Sequence, residues 1–596
     1  MQMIRYQITS LDPASHYFDV SLRIDDPDPD GQRLRLPNWI PGSYMIRDFA
    51  RNLLDLRASC AAGPLAIEQI DKSNWRVAAC SEALSIDYKV YAKDLSVRSA
   101  HLDHTHGYYN GSSVFLEAIG RSEQACEVFI DKPPHKAYER WQLATSLQRK
   151  QAEPYGFGLY QALDYGDLID HPVEMGDFTR IPFEACGVPH DIILTGRFEC
   201  DQARLAADLK AICEHHIRFF GEPAPMAYYQ FQVMLVGEGY GGLEHRASTS
   251  LMATRDSLPQ PGQDRIDDDY RDFLGLCSHE YFHSWNVKRI KPEVYRPYDL
   301  QQEVYTDLLW AFEGITSYYD DLALRRCGLI EADSYLELLA QTMTRVQRGR
   351  GRGRQSVAES SFNAWTKFYK QDENAANAIV SYYAKGCLIA ACIDLKMREL
   401  TAGQKSLDDV MRKLWRDYLE SGKGVELASI QRLVGEMTAT DLGDYLDQLI
   451  YGTGELPLPG LLEAAGVEVV LRASSNLQDK GGKEANGDLP GADFGATLKA
   501  GEGGIAIQRL SEGGAAQSAG LSAGDVMIAI DGLRLDLGKF ESKLKRARAR
   551  DVWQVHAFRR DELHRFEVEL QPAAADTFVL KARQPSSAQL RAWLQL

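Results

Sequence analysis

The spacing of apolar residues changes along this chain of 596 residues. The chain is therefore not built from repeats of a single structural unit. Residues 1–180 alternate apolar and polar positions in short runs such as YFDVSLRI and ALSIDYKVYA, a period of two that is typical of strands. From about 201 to 220, and again from about 266 to 450, apolar residues recur at helical spacing, with one strand-like run, YYQFQVMLV, between the two stretches. The chain therefore combines a β-rich part with a mainly helical part.

The last part of the chain has a third pattern. After the polar stretch SSNLQDKGGKEANGDLPGAD come the strand-like runs IAIQRL, DVMIAIDG and DVWQVHAFRR around a short helix. One hydrophobic core rarely supports a chain this long. We predict a multidomain α+β protein with an N-terminal β-rich domain at 1–180, a mainly helical domain at 181–460, a small module at 461–575 and a C-terminal tail at 576–596.

Composition narrows the class of partner. With 44% hydrophobic and 25% charged residues the chain is typical of globular proteins, and its formal net charge of −17 repels phosphate backbones and anionic lipids. We therefore expect neither nucleic acid nor a membrane as a partner. The arginine-glycine stretch QRGRGRGRQ at 347–355 is the one RNA-like feature, and in an acidic protein we interpret it as a solvated loop.

The cysteine pattern and the first 20 residues indicate the cellular compartment in which we expect the protein. Ten cysteines are scattered without a Cys-x-x-Cys pair, which is typical of free thiols in a reducing environment. The first 20 residues lack a basic segment followed by an apolar one, and no run of 18 apolar residues occurs. We expect a cytoplasmic protein.

The stretch CSHEYFHSWN at 277–286 contains His-Glu-x-x-His. Aspartates from Asp267 can cap a helix that the apolar pattern predicts over 267–288. His279 and His283 are then one turn apart on the same face, where two imidazoles can bind one zinc ion, and Glu280 beside them can accept a proton. The alternative is a chance occurrence of the motif in a core helix.

A catalytic zinc site takes three protein ligands and keeps one position open. Glu313 lies in the apolar segment DLLWAFEGITSYY, where a carboxylate is costly unless it is paired or coordinated. Glu293 and Glu303 are the alternatives, and both lie in the polar connection KPEVYRPYDLQQEV. Glu313 is therefore the favoured third ligand.

These motifs resemble those of the gluzincin aminopeptidases. The segment WAFEGITSY resembles the Trp-x-Asn-Glu-Gly-x-x-x-Tyr segment that supplies their third zinc ligand, with Phe312 replacing the asparagine. The 29 residues between His283 and Glu313 form a longer connection than in aminopeptidase N. The glycyl aminopeptidase family, which has a longer connection and a C-terminal PDZ domain, is more similar. Its features also occur in HEYFHSWNVKRIKP, LPNWIPGSYMIRDFARNL and DHTHGYYNGSSVF. The resemblance implies a thermolysin-like catalytic domain with one zinc per chain.

The same resemblance assigns further residues. The segment from Gly241 and Gly242 to Glu244, GGLE, resembles the Gly-Ala-Met-Glu segment that binds the substrate amino terminus, which gives Glu244 that role; an ordinary strand-end loop is the alternative. In YYAKG, Tyr383 matches the tyrosine that donates to the tetrahedral oxyanion, with Tyr382 beside it as the other candidate. The resemblance thus predicts Glu280 and Tyr383 as catalytic residues.

The C-terminal stretch GGAAQSAGLSAGDVMIAIDG at 513–532 resembles bacterial PDZ domains, in which a loop of backbone N–H groups holds a peptide C-terminus. Here that loop would lie near residues 494–496. The alternative is that the groove is vacant and the domain braces the catalytic part.

Three other features have simpler interpretations. His101, His104 and His106 can suggest a second metal, but they lie in a polar turn between predicted strands. Cys277 is interpreted as a buried core residue. The basic run at Lys288, Arg289 and Lys291 is interpreted as a solvated helix end.

The resulting prediction is a zinc aminopeptidase that acts on peptides with a free N-terminus and releases small residues such as Gly and Ala. Glu280 would activate the attacking water. Two alternatives remain: an endopeptidase that uses the same zinc, and a PDZ adaptor whose peptidase domain has lost its activity.

Overall fold

The computed structural model describes residues 3–596. By the density of contacts, the chain divides into two compact units. The first extends to Val304 and includes Trp415–Gly424, and the second comprises Tyr305–Leu414 and Val425–Leu596. None of the helices in the described residues has both the length and the apolar character needed to cross a bilayer.

The strands up to residue 254 are β1 (Ile4–Thr9), β2 (Tyr17–Ile24), β3 (Arg33–Arg35), β4 (Leu53–Cys60), β5 (Gly63–Leu65), β6 (Ile67–Gln69), β7 (Asn74–Val77), β8 (Leu84–Tyr91), β9 (Ala100–Leu102), β10 (His106–Tyr109), β11 (Glu117–Ala118), β12 (Cys126–Ile130), β13 (Gln142–Thr145), β14 (Gln148–Ala152), β15 (Gly158–Ala162), β16 (Val173–Gly176), β17 (Thr179–Ala185), β18 (Val188–Thr195), β19 (Tyr229–Val236), β20 (Gly241–Glu244) and β21 (Ser248–Thr254). Those after residue 466 are β22 (Val467–Ala473), β23 (Ala492–Asp493), β24 (Ala496–Gly501), β25 (Gly504–Leu510), β26 (Val526–Ile530), β27 (Leu533–Arg534), β28 (Val552–Arg559), β29 (Glu562–Glu569), β30 (Gln571–Pro572) and β31 (Ala575–Ala582).

The α-helices are α1 (Tyr165–Ile169), α2 (Gln202–Phe220), α3 (Asp268–Phe282), α4 (Ile315–Arg326), α5 (Ala332–Arg348), α6 (Val357–Phe362), α7 (Ala375–Ala378), α8 (Ala384–Leu400), α9 (Leu407–Ser421), α10 (Leu427–Thr438), α11 (Gly443–Tyr451), α12 (Leu458–Ala465), α13 (Ala515–Ser518), α14 (Leu537–Arg546) and α15 (Ala588–Leu594). The arrangement confirms a multidomain α+β fold with a β-rich N-terminal part and a helical middle region.

The first unit begins with an eight-stranded sheet in the order β14-β15-β12-β1-β2-β8-β4-β5. Alternate residues of its central strands are buried, as in Ile4, Tyr6 and Ile8 of β1, so the period of two in the sequence reflects one covered face. Two four-stranded sheets, β13-β16-β10-β9 and β11-β3-β7-β6, complete this β-rich part.

A five-stranded sheet in the order β17-β18-β19-β21-β20 positions the helix that carries His-Glu-x-x-His. The apolar run YYQFQVMLV forms β19 at its centre, where it pairs in parallel with β18 and β21. The edge strand β20 pairs antiparallel with β21, and α3 packs against both of these strands. The edge of the sheet therefore lies beside the candidate site.

In the second unit, α4, α5 and α8 pack together. The segment predicted as a C-terminal tail contains most of β31, which pairs with β22, and α15. Trp593 of α15 is fully buried and donates its indole N–H to the Tyr318 hydroxyl at 2.7 Å. This segment is therefore part of the core of its unit.

The C-terminal module of the second unit is built on a sheet in the order β24-β25-β26-β28-β29, with β27 paired to β26. Its core includes Phe494, Phe540 and Trp553. The arginine-glycine stretch includes a short 3-10 turn, Arg350–Gly353. Within the unit, Arg354 forms an ion pair with Glu512 at 2.5 Å.

Candidate active site

Helix α3 begins at the predicted capping residue and ends earlier than predicted. Asp267 accepts a hydrogen bond from the Tyr270 backbone N–H at 2.9 Å, which caps the first turn. The helix ends at Phe282, not at residue 288, because the chain turns after His283. The His283 imidazole bonds the Asn286 carbonyl at 2.7 Å, a group that a continued helix would offer to a backbone N–H.

The two histidines of the motif lie side by side. The ring centroids of His279 and His283 are 4.6 Å apart, with the planes nearly perpendicular. Since a carbonyl can only accept, His283 Nδ1 carries the proton in its bond to Asn286, and Nε2 keeps the lone pair that a metal requires. The donor set and its orientation fit a zinc ion.

Two glutamates lie beside His283 in the same unit. One ligand atom each from Glu244, Glu280 and His283 can be chosen so that all three lie within 4.8 Å of one another. Glu244 and Glu280 are only 4% and 5% exposed. Two carboxylates this close and this buried favour a cation between them, either a metal ion or an ammonium group.

Two glycines form the walls around these carboxylates. A Cβ built on Gly242 would lie 2.7 Å from Glu280 Cγ and closer still to the carboxylate, so β20 crosses directly over Glu280. A Cβ on Gly42 would lie 2.6 Å from Glu244 Oε1, and Gly42 has a φ of +95°. Sequence reasoning missed the contact of Gly42 with Glu244; the only signal was Pro41-Gly42 within a family-like motif. Gly241, the other predicted substrate-binding glycine, begins β20.

The basic run after α3 is buried, so the prediction of a solvated helix end was wrong. Lys288 donates to Asp170 Oδ1 at 2.7 Å and is 3% exposed. Arg289 donates to three backbone carbonyls, and the Lys291 ammonium lies 4.3 Å from the centroid of the Tyr298 ring. The early end of α3 brings this run into the core of the unit.

Cys277 is fully buried, and its burial raises the pKa of the thiol well above the usual value. The thiol therefore stays protonated, as expected for a core residue.

The second unit contains Glu313 on a turn of π-helix, Trp310–Gly314, just before α4. Such turns occur often at functional sites. Glu313 is 2% exposed. Glu293, one of the two other candidates for the third ligand, has an exposed side chain. Its carboxylate accepts a hydrogen bond from the Gly424 backbone N–H at 2.5 Å.

Glu313 and the tyrosines before α8 are brought together by a close helix contact. A Cβ on Gly314 would lie 2.6 Å from the Cα of Gly386, so the two backbones touch. Burial, and then the negative charge of Glu313, raise the pKa of Tyr383 well above its usual value, so its hydroxyl stays a donor. Tyr382 is fully buried whereas Tyr383 is partly exposed, which favours Tyr383 as the residue that reaches substrate.

The histidine-rich segment forms the hairpin of β9 and β10. The predicted polar turn is limited to residues 103–105, and His101 and His106 are buried on the two strands. His101 Nε2 lies 3.2 Å from Asp103 Oδ2, and one ligand atom each from His101, Asp103 and His106 lie within 4.8 Å of one another. Asp103 also accepts from the backbone N–H groups of Thr105 and His106. This pattern is that of an aspartate that stabilises a turn.

Three family descriptions match successive parts of the chain. Residues 5–177 match the Peptidase M61 N-terminal domain, residues 272–389 match the M61 glycyl aminopeptidase domain, and residues 486–541 match the PDZ domain. No curated protein matched the chain.

Solved structures are also similar to this chain. A crystal structure of an aminopeptidase N family protein from Idiomarina loihiensis is 42% identical, with a TM-score of 0.96 over 99% of this chain and 100% of that one. An M1 zinc metallopeptidase from Deinococcus radiodurans is 14% identical, with a TM-score of 0.46 over 77% of this chain and 95% of that one. A mutant of it bound to a Tyr-Ser-Ala substrate is 15% identical, with a TM-score of 0.46 over the same shares.

The matched domains, together with the buried His-Glu-x-x-His helix, define a metallopeptidase. The chain belongs to the M61 glycyl aminopeptidase family, with an M61 N-terminal domain and a C-terminal PDZ domain.

Proposed function

We propose that this metallopeptidase is a zinc aminopeptidase that removes one residue from peptides with a free N-terminus. The observation that carries the proposal is the position of Glu244, a buried carboxylate beside Glu280 and His283. A carboxylate at that place can pair with the substrate's α-ammonium while Glu280 acts at the neighbouring carbonyl.

One zinc per chain would be held by His279, His283 and Glu313. The lone pair left on His283 Nε2 and the adjacent His279 ring support the histidine pair. Burial of Glu313 on a turn of π-helix supports the third ligand, because a carboxylate in an apolar setting needs a cation. Zinc, when bound, would polarise the scissile carbonyl and make the attacking water more acidic.

The chain's own residues would do the rest of the chemistry. Glu280 accepts a proton from the attacking water and delivers it to the leaving amine. Tyr383 donates its hydroxyl hydrogen to the oxygen on which negative charge develops, an interaction worth about 3 kcal/mol in enzymes of known mechanism. The raised pKa of Tyr383 keeps that hydroxyl protonated at neutral pH.

Glu244 would decide where cleavage occurs. With the amino terminus held at Glu244, the first peptide bond is the one that lies over Glu280, so the enzyme releases single residues. Gly42 closes off the space beside the Glu244 carboxylate. The description of the family as glycyl aminopeptidases supports the proposed preference for small residues such as Gly and Ala. In an endopeptidase, Glu244 would not bind the amino terminus of the substrate. A PDZ adaptor without peptidase activity would have no need for the buried carboxylates of Glu244 and Glu280.

The C-terminal module would hold a peptide C-terminus near residues 494–496 or brace its unit. All ten cysteines are free among the described residues, which supports a cytoplasmic location.

The test is to measure zinc per chain and the hydrolysis of alanyl and glycyl peptides. We expect one equivalent of zinc, and activity that a chelator removes and added zinc restores. A protein that binds no zinc, or that is equally active without it, would contradict the proposal.

A further inference from the structure

The turn between β8 and β9 places an arginine against the edge strand of the site. The Arg98 Nη2 donates to the Gly242 carbonyl at 3.3 Å. A Cβ built on Gly241 would lie 3.8 and 3.9 Å from its two terminal nitrogens, so the guanidinium lies over the start of β20. Among the described residues, Arg98 forms no ion pair with a carboxylate, and its buried Nε has no hydrogen-bond partner.

Residues of the family-like motif HGYYNG tie this turn to its neighbours by hydrogen bonds. Asn110, which is fully buried, donates to the Val97 carbonyl at 2.9 Å. The Tyr108 hydroxyl donates to Ser250 Oγ at 2.7 Å, which links the turn to β21, the strand paired with β20. The motif therefore fixes the position of Arg98 relative to the edge strand.

The direction of a bound substrate follows from the proposed function, on which this inference rests. Its amino terminus lies at Glu244, and its reacting carbonyl lies near Glu280, which is in contact with Gly242. The substrate therefore runs opposite to β20, from Glu244 toward Gly241, in the way that an extended peptide adds to a sheet edge. At about 3.4 Å per residue, the second or third substrate residue reaches Arg98.

We propose that Arg98 binds a carboxylate of the substrate on the C-terminal side of the cleaved bond. Arg98 is a cation without an acidic partner in a protein of net charge −17. Its guanidinium can attract a carboxylate by charge and can donate two parallel hydrogen bonds to it. The carboxylate is either the C-terminus of a short peptide or an acidic side chain of the second residue.

The experiment compares kcat/KM for Ala-Ala with that for Ala-Ala amide, in the wild type and in Arg98→Gln. We expect the wild type to prefer the free carboxylate by about tenfold or more. Arg98→Gln should bring the ratio close to one, chiefly through KM, and Arg98→Lys should recover part of it. Arg76→Gln, a change of an exposed arginine on β7, is the control and should keep the wild-type ratio.

A second pair of substrates, Ala-Asp amide and Ala-Asn amide, separates the two sources of the carboxylate. A preference for the aspartyl substrate that Arg98→Gln removes assigns the site to an acidic side chain. The inference is overturned if the wild type shows no preference for the carboxylate-bearing substrate in either pair. It is also overturned if Arg98→Gln leaves both ratios unchanged. If the wild type cleaves none of these peptides, the proposed function itself is wrong.

Discussion

Gly242 lies against Glu280 so closely that the edge strand and the catalytic helix leave no room for a side chain between them: a Cβ on Gly242 would come within 2.7 Å of Glu280 Cγ. This contact sets the distance between β20, the proposed substrate-binding edge, and Glu280, the proposed proton acceptor. A substitution of Gly242 therefore tests the geometry of the site without changing its charge.

Gly242→Ala should displace Glu280 or β20 and reduce kcat/KM by about 100-fold, since small displacements of positioned groups have costs of that order. The change adds one methyl group and leaves every proposed metal ligand in place, so zinc content should stay close to one per chain. Gly460→Ala is the control, because a Cβ there meets open space, and its activity should match the wild type. Full activity of Gly242→Ala would show that Glu280 does not work from this position.

Glu280→Gln should keep the metal and lose most turnover, because an amide of the same shape cannot accept the proton. Zinc content by elemental analysis and kcat on an alanyl peptide provide the two measurements. An unchanged kcat would remove Glu280 from the mechanism.

Glu313→Gln should lose most of the zinc, because a neutral amide binds zinc far more weakly than a carboxylate. Glu303→Gln, a change in the polar connection that was the alternative from sequence, serves as the control and should retain one equivalent. If Glu313→Gln and Glu303→Gln bind zinc equally well, the third ligand is another residue.

Asp170→Asn should destabilise the protein by about 3–5 kcal/mol at pH 7, because it leaves the Lys288 ammonium buried without its counter-charge. Burial alone would raise the pKa of Asp170, but Lys288 and His245 outweigh it and hold that pKa well below the usual range. The stabilisation is therefore present above the unfolded pKa of about 3.9 and is lost as the pH falls through the folded pKa.

Denaturant unfolding from pH 7 down to pH 3 measures this effect. The difference in unfolding free energy between wild type and Asp170→Asn should be constant above about pH 5 and should shrink as the pH falls below about 4. Asp30→Asn, an exposed change, should follow the wild type throughout. A difference that stays constant with pH would assign the effect to packing and not to charge.

Local periodicity predicted much of the fold. The start of α3 at its aspartate cap, the pairing of His279 with His283 and the apolar setting of Glu313 all depend on neighbours within a few turns, so the sequence contains them directly. The division into three domains and a C-terminal tail remains a prediction from the pattern of apolar residues.

Contacts between distant segments were not predictable in this way. The burial of Lys288 depends on Asp170, and the wall at Glu244 depends on Gly42, two hundred residues earlier in the chain. The end of α3 depends on a bond from the His283 ring that no hydrophobic pattern indicates. Each of these features is set by the course of the whole chain.

In the proposed aminopeptidase, Glu244 receives the free amino terminus of the substrate. The most direct test is the rate at which the zinc-loaded wild type cleaves Ala-Ala-Ala compared with N-acetyl-Ala-Ala-Ala. An acetylated terminus carries no charge and leaves the buried Glu244 carboxylate without its partner, so we predict cleavage of the free peptide and a loss of at least 100-fold on the blocked one. Equal cleavage of both peptides would contradict the aminopeptidase assignment and establish an endopeptidase in its place.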